Sequence, residues 1–325
     1  MTFKKVYRKN ISKEKWDNYV EKSPQGWLWH KYDLIEAVSK WSYKTDESFA
    51  ICTTSNEIVA IVPLHKNHFK RKKIFPDYNY NSLGGPIINK QNYSGRVAKY
   101  ISSIFYKIAK PIEIQISCMT PFIQGSLCPL TNPLLPIGIK NTLTQSYVID
   151  LKEEEIKIWD NMESRARNII RKAEKNEINI RKATTEEDLN IYYNLHFETY
   201  SRTGASPHSK SYFGYIWKHL LNKNLALVLF AEYKNKIIAA ANFGYYKNGA
   251  TYWTACSSPE ALKIGANSLL QWHGIRELRK IGIRWYEVGE AFPNSLDLKE
   301  KGLNNYKKSF GGKLYPYFKG IINDN

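Results

Sequence analysis

Two carboxylates in this sequence stand where a carboxylate can act as a base. Glu287 and Glu290 flank Gly289 at the end of an apolar run, residues 283–288, that predicts a central strand. A carboxylate at the end of such a strand can accept a proton from a reacting group. Either residue could equally be a solvated surface carboxylate.

Two cations offer complementary chemistry. Lys307 follows Tyr306 and precedes a Phe-Gly-Gly turn, and a fixed ammonium there could stabilise developing negative charge or hold a phosphate. Arg202 lies in a predicted loop, and its planar guanidinium suits a bidentate anion. The alternatives are a surface lysine beside Lys308 and an arginine that caps a helix.

Three further features could bind a substrate. Gly265 and Asn267 lie where a helix is predicted to begin, and helix N–H groups attract phosphate. Arg165 and Arg171 belong to a basic stripe on a predicted helix that could meet an RNA stem or a phosphate. Tyr252 on a predicted strand could stack on a sugar or a base. The competing interpretations are a simple helix start, a solvated helix face and a core tyrosine.

Several kinds of site are not indicated. The histidines have no metal-ligand spacing, and there is no P-loop, no GxSxG elbow and no Cys/His nucleophile pair. The four cysteines have no paired metal spacing and predict buried or free thiols in a reducing compartment: Cys52, Cys118, Cys128 and Cys256. We therefore expect no metal site and no tightly bound cofactor.

Composition sets the broad class. The chain has 325 residues, 43% of them hydrophobic, which suits two packed lobes and argues against bulk disorder. No stretch predicts a spanning helix or a secretion signal, so the sequence predicts a cytoplasmic protein. The formal net charge of +18 favours an anionic partner such as tRNA, CoA, a nucleotide-linked sugar or a membrane surface. Scattered lysines on solvated faces would produce the same charge.

The predicted elements repeat along the chain. Residues 49–52 and 58–64 predict a hairpin, followed by a strand at 82–88, a helix at 96–110 and a strand at 112–116. The second half repeats this order with strands at 225–232, 237–243 and 250–256, a helix at 266–280 and a strand at 283–288. A long helix is predicted between the halves at 153–176. The repeat is one of architecture, because few side chains match between the halves.

Over nearly its whole length, and most clearly in its second half, the chain resembles the FemABX and FemAB-like (BioF2-like) acyltransferases of the GNAT superfamily. The resemblance rests on the following segments: 159–175, 198–204, 265–272, 285–289 and 302–311. It implies an α/β (α+β) fold built as a tandem duplication of GNAT-like N-acyltransferase units, with mixed sheets flanked by helices. It also implies a lobe at 1–145, a catalytic lobe at 146–310 and residues 311–325 packing back on the first lobe. The chain resembles the compact form of the family, which has no helical arm.

The same resemblance implies roles for individual residues. Tyr306 and Lys307 match a Phe/Tyr-Lys pair that the family places near the reacting groups, with tyrosine where phenylalanine is usual. Arg202 matches an arginine that meets nucleotide phosphates of the acceptor, and Glu287 is the nearer match to a family aspartate. The GNAT pyrophosphate loop, Gln/Arg-x-x-Gly-x-Gly/Ala, is matched at Gly265 alone, since Leu262 stands at its first position.

Three functions remain open from the sequence. The favoured one is transfer of an aminoacyl group from charged tRNA to an amine of a nucleotide- or lipid-linked cell-envelope precursor, with contact to the inner face of the membrane as a further expectation. The second is N-acylation of an amino sugar or another small amine from acyl-CoA. The third is a non-catalytic protein that binds nucleic acid or membrane through its basic face.

Overall fold

Two units make up the chain. The computed structural model describes residues 2–41, 43–68, 78–88, 94–116, 119, 134–139 and 141–323. One unit comprises residues 1–144 with 316–325, and the other comprises residues 145–315. Cys52 and Cys256 are buried free thiols, whereas Cys118 and Cys128 lie outside the described residues. Within the described ranges, no helix is long and apolar enough to cross a bilayer.

The first unit contains two groups of paired strands and three described helices. Its helices are α1 (Lys13–Lys22), α2 (Tyr32–Ser39) and α3 (Ser94–Phe105). Its strands are β1 (Phe3–Tyr7), β2 (Lys44–Asp46), β3 (Phe49–Thr53), β4 (Ile58–Val62), β5 (His65–Asn67), β6 (Tyr80–Gly84), β7 (Ile87–Ile88) and β8 (Ile112–Ile116). The order is β1–β3–β4–β7 in one group and β8–β6–β5–β2 in the other. The predicted strand at 82–88 is therefore two strands, because β6 pairs with β8 and β7 pairs with β4.

The second unit is a mixed sheet between helices. Its helices are α4 (Glu155–Asn161), α5 (Ser164–Lys175), α6 (Glu186–Thr203), α7 (Lys210–His219), α8 (Pro259–Ile264), α9 (Ala266–Lys280) and α10 (Leu298–Lys308). Its strands are β9 (Asn141–Asp150), β10 (Asn179–Lys182), β11 (Ala226–Tyr233), β12 (Lys236–Tyr246), β13 (Gly249–Ser257), β14 (Trp285–Ala291) and the start of β15 (Lys313–Ile322). Strands run in the order β10–β11–β12–β13–β14–β9. The end of β15 pairs with β8 in the first unit.

Strand alternation distributes the helices of the second unit over two faces. Leu229 and Ala231 of β11 belong to the core cluster that includes residues of α5 and α9. Phe230, between them, points the other way and contacts Tyr192 of α6, with ring centroids 6.5 Å apart. Successive side chains of a strand point to opposite faces, so the apolar run of β11 fills both layers.

The predicted helix at 153–176 is wrong as a single element. It is broken at Met162 and Glu163, which have extended backbones. The Glu163 N–H donates to the Ser309 carbonyl at 2.9 Å. Arg167 donates to the carbonyls of Asp160 and Met162, each at 2.7 Å. The break is stable because these contacts satisfy backbone groups that a helix end leaves open.

The duplicated architecture is confirmed by one matching feature of the two units. In each, two parallel strands are joined through a connection that contains a helix: β6 and β8 through α3, and β13 and β14 through α8 and α9. The pairs differ in length. β6 and β8 pair over five positions, Tyr80–Gly84 with Ile112–Ile116, whereas β13 and β14 pair only at Gly249–Thr251 with Trp285–Glu287. Over the residues that the structure describes, only the second of these two pairs opens along its length.

A buried histidine in the second unit makes folding sensitive to acid. His196 of α6 is fully buried between Tyr200 and Phe213, and burial lowers its pKa to about 4. Its Nε2 accepts the His208 backbone N–H at 3.1 Å. Because the unfolded chain binds this proton near pH 6.5, the fold loses stability as pH falls from 6.5 towards 4. We expect a loss of about 1.4 kcal/mol per pH unit from this group.

The His196→Gln variant isolates this contribution. Glutamine can still accept the His208 N–H and does not titrate. The difference in unfolding free energy between wild type and variant, measured in urea at pH 7 and pH 5, should shrink as pH falls. Equal differences at both pH values would show that His196 stays charged or exposed in the fold.

Candidate active site

The two central parallel strands of the second unit separate at the centre of the sheet. Their last paired residues are Thr251 and Glu287. Just beyond this point β13 carries a bulge at Trp253, opposite Asn242 and Phe243, and β14 carries one at Val288 on its other edge. Bulges bend a strand and re-aim its side chains. The two strands therefore diverge after Thr251, and their facing edges no longer pair with each other.

Lys307 belongs to α10 and packs against the part of β14 that no longer pairs with β13. Its Nζ donates to the Glu290 carbonyl and lies 5.5 Å from the centre of the Phe292 ring. Burial lowers the pKa of the Lys307 ammonium, while the carboxylates of Glu290 and Glu287 partly restore it. A cation held in this way has a fixed position and is only partly hydrated, which strengthens its effect on a nearby oxyanion.

Gly289 is what allows Lys307 to lie there. A Cβ at this residue would stand 3.3 Å from both Cε and Nζ of Lys307, and its φ is +114°. Both facts require glycine at this position of the strand. Glu287, two residues earlier, accepts a hydrogen bond from the Ser146 hydroxyl at 2.9 Å. That bond fixes one oxygen of the predicted base.

Three tyrosines belong to the strands and the helix around Lys307: Tyr286 is buried, and Tyr252 and Tyr306 are half-buried. The Tyr306 hydroxyl donates to the Asn267 carbonyl at 3.1 Å and also forms a hydrogen bond with Tyr252. Tyr286 donates to the side-chain oxygen of Gln271. Burial raises the pKa of all three tyrosines, so they stay neutral and remain hydrogen-bond donors at neutral pH. Tyr252 is thus held within the site rather than exposed on a strand surface.

Ser257, at the end of β13, joins the remaining predicted residues. Its carbonyl accepts from Arg202 Nη2 at 2.8 Å and from the Thr199 hydroxyl at 3.1 Å. Its own hydroxyl accepts from the Asn267 side chain at 3.2 Å. Since Tyr306 bonds to the Asn267 carbonyl, Arg202 and Tyr306 belong to one hydrogen-bonded network, and Lys307 follows Tyr306 in the chain. Arg202 itself is exposed at the end of α6.

Gly265 has a packing reason for its missing side chain. It ends α8 and precedes α9 with a φ of +82°, and a Cβ there would stand 2.6 Å from the Ile169 Cγ2 of α5. The glycine therefore brings this turn against α5. Its type is explained without any ligand, which leaves the predicted phosphate contact of Gly265 and Asn267 a prediction.

Arg165 and Arg171 are not among the residues of this network. Both are exposed on α5, and the Arg171 guanidinium lies over the Trp159 ring, 5.3 Å from its centre. Arg171 borders a groove of about 450 Å³ that is lined by Glu155, Ile156, Trp159, Glu174 and Trp272. The structure thus divides the predicted binding residues between two places.

Three contributors to the site were missed in the sequence. Ser146 and Ser257 belong to strands distant in sequence from their partners, so no local pattern points to them. Gly289 was noted only as the residue between two glutamates. A glycine inside a strand is a known signal for close approach or a bulge, and it could have indicated the contact with Lys307.

The chain resembles a known protein family and several solved structures. Residues 161–308 match the family profile of an acetyltransferase (GNAT) domain. FemX has 16% identity and a TM-score of 0.69, covering 98% of each chain. A C-terminal domain assigned to a lysylphosphatidylglycerol synthetase of Agrobacterium fabrum has 14% identity and a TM-score of 0.62, covering 96% of this chain and 91% of that one.

A tandem GNAT protein from the clavulanic acid biosynthesis pathway has 9% identity and a TM-score of 0.54, covering 99% of this chain and 98% of that one. At such identities the likeness establishes the fold. The chain has a tandem GNAT fold. The predicted likeness to FemX is confirmed at the level of the fold, and the acetyltransferase domain at residues 161–308 supports an acyltransferase. A search of curated proteins found no match to the sequence.

No group of three or more His, Cys, Asp and Glu residues among those described could hold a metal ion. The groups of the candidate site that can take part in chemistry are Lys307, Glu287, the three tyrosines and the unpaired strand edges.

Proposed function

We propose that this GNAT-fold protein transfers an aminoacyl group from charged tRNA to an amine of a cell-envelope precursor that carries phosphate. The observation that carries the proposal is the position of Lys307, against Gly289, where β14 leaves β13. A partly desolvated cation beside unpaired strand edges suits an acyl-transfer transition state, in which the carbonyl oxygen becomes an oxyanion.

The reaction requires the protein to stabilise an oxyanion, to accept a proton from the amine and to supply a proton to the leaving oxygen. The acceptor nitrogen attacks the ester carbonyl, the tetrahedral oxyanion forms, and the bond to the ribose oxygen of the tRNA breaks. Lys307, with backbone N–H groups of the open strand edge, stabilises the oxyanion. Glu287, held by Ser146, accepts the proton of the attacking amine. The departing ribose oxygen takes the proton that Glu287 has accepted and leaves as a hydroxyl, which returns the carboxylate to its starting form.

Several features favour tRNA over CoA as the donor. Gly265 is used for packing on Ile169, and the Asn267 side chain and carbonyl are engaged by Ser257 and Tyr306. Contacts within the protein therefore explain the glycine and the asparagine of this turn without a pyrophosphate. The exposed face of α5 adds Arg165, Arg171, Lys172 and Lys175, a cluster suited to an RNA backbone. The FemX likeness supports an envelope substrate.

A comparison of the two donors, each supplied separately, tests the proposal. The purified protein is given a mixture of amine acceptors with either ¹⁴C-aminoacyl-tRNA or ¹⁴C-acyl-CoA, and label in the acceptor is counted. We expect incorporation from the tRNA ester. Turnover supported by acyl-CoA alone would overturn the donor assignment and leave the acyltransferase assignment intact.

An acyl-CoA donor is the second candidate. It is favoured by the match to an acetyltransferase (GNAT) domain and by the tandem GNAT relative, whose name refers to AcCoA. In that case the acceptor would be an amino sugar or another small amine, and Lys307 would serve the same oxyanion.

Arg202 should act on acceptor binding. Its Nη2 is bonded to the Ser257 carbonyl, and its remaining donors are available to an anion because the side chain is exposed. Arg202→Ala should raise the KM for a phosphate-bearing acceptor by about 10–150-fold, the loss of about 1.5–3 kcal/mol expected for a charged hydrogen bond. Steady-state kinetics with acceptors that carry and lack phosphate test this. Equal effects on both acceptors would exclude the phosphate role.

A further inference from the structure

A groove on the outer helices of the second unit has the composition of a base-binding site. It measures about 450 Å³ and is lined by residues of α4, α5 and α9, which is ample for one nucleotide. Trp159 and Trp272 form its floor, with ring centroids 5.0 Å apart and planes inclined by 54°. Trp159 is half-buried, so part of its ring faces the groove. The network around Lys307 does not use these rings.

The charges around the groove restrict what it can bind. Arg171 already lies over the Trp159 ring, so a cationic ligand on that ring would be repelled by the guanidinium. A neutral planar ring can instead lie on the part of Trp159 that faces the groove, with the Arg171 guanidinium beside it. The groove therefore suits a neutral aromatic ring better than an ammonium group.

Carboxylates at the rim define which ring fits. Glu155 is bridged to Arg276 Nε at 3.1 Å, whereas Glu174 is exposed and has no ion pair among the residues that the structure describes. A carboxylate accepts hydrogen bonds, and the N1–H and amino groups of guanine present two donors side by side. Glu174 thus favours guanine over uracil, which offers a single N–H.

Helix α5 also carries basic residues that can bind the phosphate of a nucleotide in the groove. Arg165, Lys172 and Lys175 are exposed on α5 beside Arg171 and Glu174, and the chain carries a formal charge of +18. Basic residues next to an aromatic groove are the arrangement by which proteins bind single-stranded nucleic acid. A base in the groove would bring its phosphates to this face.

We propose that the groove between Trp159 and Trp272 binds an unpaired guanine base of RNA, stacked on the part of Trp159 that faces the groove, beside Arg171, and recognised by Glu174. This inference rests on the proposed function where it names the donor tRNA as the source of that base. It assigns α4 and α5 a part in donor recognition, separate from the acyl-transfer site at Lys307.

Equilibrium dialysis with labelled GMP and UMP tests the groove directly, because its readout does not depend on tryptophan fluorescence. Wild type should bind GMP more tightly than UMP. Trp159→Leu should weaken GMP binding by about 10-fold or more, and Trp159→Phe should retain most of it. Glu174→Gln should bring the GMP and UMP affinities together. A general charge effect would instead strengthen the binding of both nucleotides in this variant.

A matched arginine separates the groove from charge alone. Arg284 also lies over a tryptophan, 4.4 Å from the Trp285 ring centre, and it is exposed. It does not line the groove. Arg171→Ala should weaken GMP binding by about 5-fold or more, and Arg284→Ala should leave it unchanged. Equal losses in both variants would overturn the proposal, as would GMP binding independent of Trp159 and Glu174.

Kinetics with charged tRNA distinguish this proposal from the function it rests on. We expect Trp159→Leu and Glu174→Gln to raise the KM for tRNA and to leave the KM for the acceptor unchanged. If wild type turns over charged tRNA and these variants match it, the groove proposal fails and the function stands. If charged tRNA supports no turnover in wild type, the proposed function fails and the GMP selectivity still decides the groove.

Discussion

Replacing Lys307 by alanine is expected to lower kcat by about 10²–10³-fold, the loss measured when one oxyanion donor is removed from an active site. The KM values should change little, because the lysine acts on charge that develops in the transition state. The free energy of unfolding should stay the same or rise. Burial lowers the pKa of Lys307, which means that holding the ammonium there costs stability.

The neighbouring residue provides the control. Lys308 follows Lys307 on α10 and is exposed, so Lys308→Ala removes the same charge without removing the contact with Glu290. Its kcat should match that of wild type. A similar loss in both variants would assign the effect to overall charge and would contradict a transition-state role for Lys307.

The pH dependence of Lys307 gives a second readout. The ammonium is the active form, and its pKa is lowered by burial. Activity should therefore fall on the alkaline side at a lower pH than an ordinary lysine would allow. In Lys307→Arg, the remaining activity should lose this alkaline limb, because a guanidinium stays protonated throughout the range. An unchanged limb would assign the titration to another group.

Local patterns predicted the elements of the second unit well. The helix at 266–280 is confirmed with the same ends, because Gly265 and the residues before Gly282 mark both of them. The strands of the hairpin at 225–243 are confirmed to within a few residues. Periodicity and turn residues carry this information locally. Local patterns did not predict the break at Met162 and Glu163, because the Ser309 carbonyl that stabilises it lies far along the chain.

The sequence predicted some residues of the candidate site and did not predict its geometry. Residue types and family resemblance singled out Lys307, Tyr306, Arg202 and Glu287, and the structure places them around the ends of β13 and β14. The separation of those strands depends on register and bulges. Neither is written in side-chain periodicity, because a bulge changes pairing without changing composition.

The separation of β13 from β14 also distinguishes the second unit from the first. Strands β6 and β8 of the first unit remain paired over five positions, so their facing edges are used by each other. Strands β13 and β14 stop after three, which leaves backbone groups open for a reacting carbonyl. A duplicated fold can therefore keep its architecture while only one copy has an open strand pair with a lysine at the opening.

Gly289→Ala should reproduce part of the Lys307 defect while leaving the lysine itself unchanged. The new methyl would stand 3.3 Å from Cε and Nζ of Lys307, at a φ of +114°. The lysine end must move by a few tenths of an ångström, and since a displacement of about 1 Å costs about 10²-fold in rate, we expect a loss of kcat of up to about 10-fold. The positive φ should also cost about 1–3 kcal/mol of stability. Gly302→Ala is the control, since a Cβ on this residue of α10 meets nothing within 4 Å. It should keep full kcat and gain about 0.5–1 kcal/mol.

The double variant decides whether Gly289 acts through Lys307. If the glycine serves only to admit the lysine, Gly289→Ala combined with Lys307→Ala should lose no more kcat than Lys307→Ala alone. The two rate effects would then be strongly non-additive, as expected for residues in contact. Additive losses would mean that Gly289 shapes the strand edge independently of Lys307. In that case the backbone of β14, rather than the ammonium, would be the main stabiliser of the oxyanion.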